Sequence, residues 1–416
     1  MELSRTGPGP LLGRLRAHFS DSPAAGAADP GSWGRERPFC LAFVAAAFAL
    51  VNARSLSWGW LGLDDWRFLV TNPHLGHGWD SFRWAVTDVQ FGRRWTPLLW
   101  VVACACGAPT AFKFHALAFG LGLLLSLLVT EIYGQALRRA WALPAALLFV
   151  LSPMRSEVFT WGMGFVYETA AILLCGAWLL RRRAGWSGLL VVLALLTYPM
   201  TAGGALAYFW AHRRRAAGWV VMAVLVGLAG FEYRLRVAYG VIPWHQRFDY
   251  LPMILPHYAL NLFVPFATVP LFPSLPYPLL YVGGALVIAA AAYRPYAVGC
   301  WVLLFSPILA ASVTEGFWLG ARYCLIPSIA AYGWLVHEAS ALRSRATLGL
   351  LWLVAAAFCV MNVRDDGLSR GVGLCARTAE REAALVGIDF NFVRDTGGQN
   401  FGAPAPAAPA KPAGRP

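Results

Sequence analysis

AFKFHALAFGLGLLLSLLVTEIYG, residues 111–134, decides the fold of this chain. One cation, Lys113, and one anion, Glu131, interrupt it, each close to an end. As an α-helix this stretch measures about 36 Å, enough to cross a hydrocarbon layer about 30 Å thick. The rest of the chain has the same character. Of its 416 residues 58% are hydrophobic and 13% charged, against about a quarter charged in a soluble domain. The expected fold is an all-α, multi-pass membrane protein.

Working outward from 111–134, apolar runs predict further spans at about 39–56, 140–153, 164–180, 187–198, 199–211, 216–232, 276–293, 296–312, 322–338 and 346–362. The net charge is +13, carried almost wholly by Arg, because Lys occurs only at 113 and 411. The basic groups fall between the apolar runs: Arg138-Arg139, Arg181-Arg182-Arg183, Arg213-Arg214-Arg215, Arg294 and Arg343/Arg345. Short cytoplasmic loops carry such an excess, so an even number of crossings must separate neighbouring groups. This parity makes 96–107, about 18 Å long as a helix, an interfacial helix on the outer face, with Trp95 and Trp100 at headgroup level. It makes 253–274, broken by Pro256, Pro265, Pro270 and Pro273, interfacial or re-entrant. The outcome is about eleven crossings, with the N-terminus inside and the C-terminus outside.

The organisation follows. Residues 1–38 read as a disordered basic cytoplasmic tail and 39–362 as the transmembrane domain, with a first outward loop at 57–110. An extracytoplasmic segment at 363–402 precedes a Pro/Ala-rich tail at 403–416. The basic clusters are too short, and too interleaved with spans, for a nucleic-acid surface. No Asn-x-Ser/Thr acceptor marks a eukaryotic secretory route. The Arg bias suggests a GC-rich genome, and together these point to a bacterial inner membrane. The cysteines lie mostly in apolar runs without zinc-site spacing and read as small hydrophobes. Walker A, GxSxG and HExxH motifs are missing from the sequence.

The polar residues assigned to the outer face suggest chemistry. Asp64 and Asp65 open the first loop, Arg94 follows, Arg155 and Glu157 occupy the second loop, and Glu168 starts a span. Arg322 and Tyr323 start a late one. A carboxylate can take a proton from an attacking hydroxyl, Arg can hold a phosphate through forked hydrogen bonds, and aromatic faces suit sugars. Plainer readings exist: Asp64-Asp65 as a helix cap, Glu157 as a partner of Arg155, Arg322 as a snorkelling anchor, His115 as an interfacial polar residue. Glu168 is the hardest to explain so, because a carboxylate inside a membrane is costly.

The order Asp64-Asp65-Trp66, Thr71-Asn72-Pro73, Arg94-Trp95-Thr96-Pro97-Leu98, Lys113-Phe114-His115, Leu151-Ser152-Pro153-Met154-Arg155-Ser156-Glu157 and Ala321-Arg322-Tyr323-Cys324-Leu325-Ile326-Pro327-Ser328 carries a resemblance. It resembles the membrane part of the transmembrane, TPR-containing O-mannosyltransferases and their bacterial relatives, within the GT-C integral-membrane glycosyltransferases. The likeness covers roughly 40–360. Ser152-Pro153-Met154-Arg155 stands where the family has two His, and no TPR repeats follow the last span. The resemblance implies a GT-C-like fold with juxtamembrane helices on the outer face. It also implies a hexosyltransferase that moves a sugar from a polyprenyl-phosphate-linked donor to a hydroxyl of a protein or glycan acceptor, with inversion. Asp64 or Asp65 would be the catalytic carboxylate. Arg94, Arg155, Glu157, Glu168, Arg322 and Tyr323 would bind substrate. A divalent metal ion, if one takes part, would sit on Asp64 or Asp65. The alternative is a non-catalytic protein of lipid-linked-glycan binding, transport or surface-polysaccharide assembly.

Overall fold

A computed structural model describes residues 30–57, 72–87, 96–105, 107, 109–137, 139–152, 158, 164–198, 201–238, 282, 325–342 and 344–361. Among these the chain is all-helical, without strands. The helices are α1 (Pro30–Asn52, continued by a 3-10 turn at Ala53–Ser57), α2 (Trp79–Thr87), α3 (Thr96–Ala103), α4 (Ala111–Ala136), α5 (Arg139–Val150) and α6 (Phe165–Leu179). Then come α7 (Ala184–Thr197), α8 (Ala202–His212), α9 (Ala216–Ala238), α10 (Leu325–Ala341) and α11 (Arg345–Met361).

The predicted spans from 39–56 to 216–232, and those at 322–338 and 346–362, each have a helix at a matching place. The two at 276–293 and 296–312 lie outside the described residues, Val282 apart. Among the described residues two helices are long and apolar enough to cross a membrane: Trp33–Ser57, which lies in α1 with its 3-10 extension, and α4. The further apolar helical stretches among them, including Ala216–Phe231 of α9, are shorter, at 10–17 residues.

One boundary needs correcting. The tail expected at 1–38 is helical from Pro30 onward. Two contacts extend α1: Trp33 packs over Gly134 near the end of α4, and the Arg37 guanidinium lies 2.8 Å from the Glu131 carboxylate. The ion pair is half-exposed on the Arg side and contributes about 0–1 kcal/mol. The Trp33 contact contributes more, because its indole fills the space where a Cβ on Gly134 would stand. Gly134→Val should therefore destabilise the α1–α4 pair by about 1–3 kcal/mol. A thermal melt in detergent would read this as a lowered midpoint, partly restored by adding Trp33→Ala; an unchanged midpoint would refute the contact.

Direction follows from contacts such as these. Trp33 meets Gly134 at one end of α1, and Phe48 meets Phe119 fifteen residues later, with ring centroids 5.2 Å apart. Thus α1 and α4 are antiparallel. Phe114 and Phe165, in the first turns of α4 and α6, stack at 5.8 Å, so these two start at the same end. Tyr167 of α6 packs on Tyr198, just past α7, at 4.6 Å, and Ser187 Oγ donates to the Ala177 carbonyl; α6 and α7 are antiparallel. The Tyr208 hydroxyl of α8 donates to the Ala184 carbonyl at the start of α7.

The direction of α10 is fixed by Tyr133. Helical side chains lean toward their own N-terminus. The Tyr133 ring edge lies beside Gly333 while its hydroxyl donates to the Ile329 carbonyl, so α10 runs the same way as α4. Tyr332 and Phe358, 6.3 Å apart, join α10 to α11.

Two unlike ends result. One end gathers Arg37, Arg139, Arg181-Arg182-Arg183, Arg213-Arg214-Arg215 and Arg345, all near helix termini. There the Arg181 and Arg213 guanidinium groups stack over Trp178 and Trp210, at 3.9 and 4.6 Å from the ring centroids. The other end gathers the C-termini of α1 and α7 and the N-termini of α4 and α6; the short α5 ends, and α10 begins, part-way along α4, since Tyr133 in the last turn of α4 reaches Ile329. In the middle, α5 is apolar all round and lined with Ala142, Ala145 and Ala146, which are fully buried. Small residues let neighbouring backbones approach closely. The outward surface is strongly apolar instead: Phe39, Leu50, Trp219, Val226, Leu353 and Val360 are all more than half exposed.

Candidate functional site

The end away from the Arg clusters holds most of the buried polar side chains, and each is placed there by its helix terminus. Thr110 caps α4, its hydroxyl accepting from the Lys113 amide at 3.4 Å, which satisfies one of the unpaired N–H groups of the first turn. That cap sets His115 one turn in, fully buried beside Phe114. The α1–α4 register, extended four residues past the Phe48–Phe119 contact, sets Asn52 opposite His115. Asn52 is fully buried; its Nδ2 donates to the Phe48 carbonyl at 3.0 Å, and its Oδ1 meets no hydrogen-bond donor among the described residues. Ser55, equally buried, donates to the Asn52 carbonyl at 2.7 Å.

Glu168 sits in the first turn of α6, three residues past Phe165. Since Phe165 stacks on Phe114, Glu168 lies about 3 Å deeper than His115 at the helical rise. Its side chain is fully buried, and among the described residues neither carboxyl oxygen has a hydrogen-bond partner. Burying a polar group without a partner costs about 1–3 kcal/mol, so packing alone does not select Glu at this position. Beside it, the Tyr198 hydroxyl donates to that of Tyr167 at 3.2 Å. Where α5 ends, Ser152 Oγ and the Tyr332 hydroxyl of α10 are 2.8 Å apart in a buried hydrogen bond.

Glu168 is thus the one sequence-predicted site residue among those described, and it is buried rather than at a surface. Asp64, Asp65, Arg94, Arg155, Glu157, Arg322 and Tyr323 lie outside the described residues. The flanks of their segments are described. Ser57 follows α1 at this end, Ser152 precedes the Arg155–Glu157 segment, and Leu325 opens α10 directly after Arg322-Tyr323-Cys324.

Asn52 and the Ser152–Tyr332 bond were not expected as site features. Asn52, the last residue of α1, is a polar residue ending a predicted span, and that was the available signal. The pairing of Ser152 with Tyr332, 180 residues apart, had none. His115 differs from its interfacial reading, being fully buried. The expected outer loop 57–110 is partly helical, containing α2 and α3. Trp100, expected at headgroup level, is 6% exposed and belongs to the core, with Trp84 of α2 stacked at 6.4 Å. The indole is covered because α2 folds back over α3. The turn leading into α2 uses left-handed Gly76 and Gly78, at φ 86° and 58°, a conformation that costs other residues about 1–2 kcal/mol.

Among the described residues no three His, Cys, Asp or Glu side chains gather as a metal centre would require. Cys40, Cys104 and Cys175 are free and buried. Burial pushes the Cys104 thiol, just past α3, up to about 11, with the Lys113 ammonium opposing. Such a thiol is inert.

No protein-family model matches the chain, and neither a curated protein nor a solved structure matches it significantly.

Proposed function

We propose that the chain is a multi-pass glycosyltransferase of the bacterial inner membrane, GT-C-like, that moves a sugar from a polyprenyl-phosphate-linked donor to an acceptor hydroxyl on the outer face. The observation that carries this reading is the buried polar rim, above all the fully buried Glu168 carboxylate, which has no hydrogen-bond partner among the described residues. It lies at the end opposite the Arg clusters, which is the outer end if basic groups mark the cytoplasm. The segments bearing Asp64-Asp65 and Arg155-Glu157 begin or end on described residues of that same rim, at Ser57 and Gly164. In this reading Asp64 or Asp65 takes the proton of the attacking hydroxyl. Arg94, Arg155 and Arg322 bind the carrier phosphate, and Glu157, Glu168 and Tyr323 hold hydroxyl groups of the substrates. The Asp64-Asp65 doublet has the hard oxygen donors that suit a divalent cation.

The deciding experiment incubates purified protein with candidate polyprenyl-phosphate sugars and follows donor consumption and transfer. Donor that is bound but never consumed would favour the non-catalytic alternative.

The orientation has its own test. Asp80 is exposed in the first turn of α2. An Asp80→Cys variant should react with a membrane-impermeant maleimide added outside spheroplasts. Labelling only after the membrane is opened would invert the topology and place the Arg clusters outside.

A further inference from the structure

Helix α2 is nine residues long and has three unlike sectors. Ser81 and Ala85 are buried, and Trp84 stacks between His74, at 4.9 Å, and Trp100 of the core. This sector fixes α2 to the bundle. At 100° per residue, Trp79, Phe82 and Val86 occupy a sector roughly 60° wide on the other side. They are 74%, 40% and 58% exposed. Trp79 and Phe82 stack at 5.0 Å, and with Arg83 and Thr87 they line a surface groove of about 370 Å³. Arg83 makes no ion pair among the described residues, not even with Asp80 one turn away.

The place of α2 in the chain says what covers this groove. It follows α1 and precedes α4, the two helices long and apolar enough to cross a membrane, and these are antiparallel. The C-terminus of α1 and the N-terminus of α4 are therefore at one level. The described segment between them, with α2 clamped through Trp84 to the core, is held at that level. A short helix there with an apolar stripe bordered by a cation has the pattern of an interfacial helix, whose apolar face enters the acyl boundary. Its cation then meets headgroup phosphates.

We propose that the α2 groove is a lipid seat: Trp79, Phe82 and Val86 take the upper part of an acyl chain, and Arg83 binds the phosphate of an anionic membrane phospholipid. The seat rests on the membrane placement of α1 and α4 and not on glycosyl transfer. It would hold the outer rim at a fixed depth relative to lipid headgroups.

The test uses the full chain in nanodiscs of mixed phosphatidylglycerol and phosphatidylcholine, without any sugar donor. Its failure would leave the glycosyltransferase reading intact. A photoreactive benzoylphenylalanine replaces Phe82, or Asp80 as a control about 160° away around the helix, and adducts are identified by mass spectrometry. Both positions are exposed, so folding is retained. Position 82 should yield phospholipid adducts enriched in phosphatidylglycerol, and position 80 several-fold fewer. Adding Arg83→Gln should lower the enrichment by about five-fold, the effect of one basic residue near an anionic surface. Equal lipid yields at 80 and 82 would overturn the proposal, as would adducts to protein in place of lipid. Loss of the enrichment on adding millimolar inorganic phosphate would assign Arg83 to a soluble anion and overturn it too.

Discussion

Replacing both Asp64 and Asp65 with Asn should abolish sugar transfer while the protein still accumulates in membranes. A positioned general base contributes typically 10²–10⁴-fold, so turnover should fall by at least about 100-fold. Asn keeps the volume and most of the hydrogen-bonding capacity and removes only the charge and basicity. A structural role such as helix capping would therefore survive, because Asn caps as well as Asp. The measurement pairs a transfer assay with immunoblotting of washed membranes and carrier binding by the purified variant. Binding retained with transfer lost is the expected pattern. Full transfer by the double variant would sink the catalytic assignment. The single variants then say which carboxylate acts, a choice the sequence leaves open.

Glu168 should show stability and activity moving in opposite directions. Its carboxylate is fully buried with no hydrogen-bond partner among the described residues. Leaving a buried polar group unsatisfied costs about 1–3 kcal/mol, more for a charged one, and an apolar replacement of similar size removes that cost. Glu168→Leu should thus raise the thermal midpoint in detergent, or leave it unchanged, while lowering transfer by an order of magnitude or more. Glu168→Gln should fold as well as the parent and still lose transfer, since it presents an amide where the site needs a carboxyl group. If Glu168 were structural, the pattern would reverse: Glu168→Leu would melt earlier, and whatever protein remained folded would keep full activity. Natural proteins retain such costly groups where function requires them.

What the sequence determined by itself is where the long apolar helices among the described residues lie. A 24-residue apolar run such as 111–134 has one stable form in lipid, because only a helix satisfies every backbone group internally. Hydropathy alone places α4, α6, α7 and α10 within a few residues of their described bounds. The Arg clusters also predicted two unlike ends, and the helix directions gather the described clusters at one of them; Arg294 lies outside the described residues. Some boundaries were not legible. The start of α1 at Pro30 depends on Trp33 covering Gly134, a contact between residues 101 positions apart in number. Glu168 stood out as a carboxylate in an apolar run. Its lack of a hydrogen-bond partner among the described residues, and its level near that of His115, did not. Residues as far apart as 152 and 332 become neighbours only when α5 and α10 pack together. Local periodicity reports which face of a helix is apolar; which other helix covers that face is set by side-chain volumes and packing direction, and these only the tertiary structure supplies.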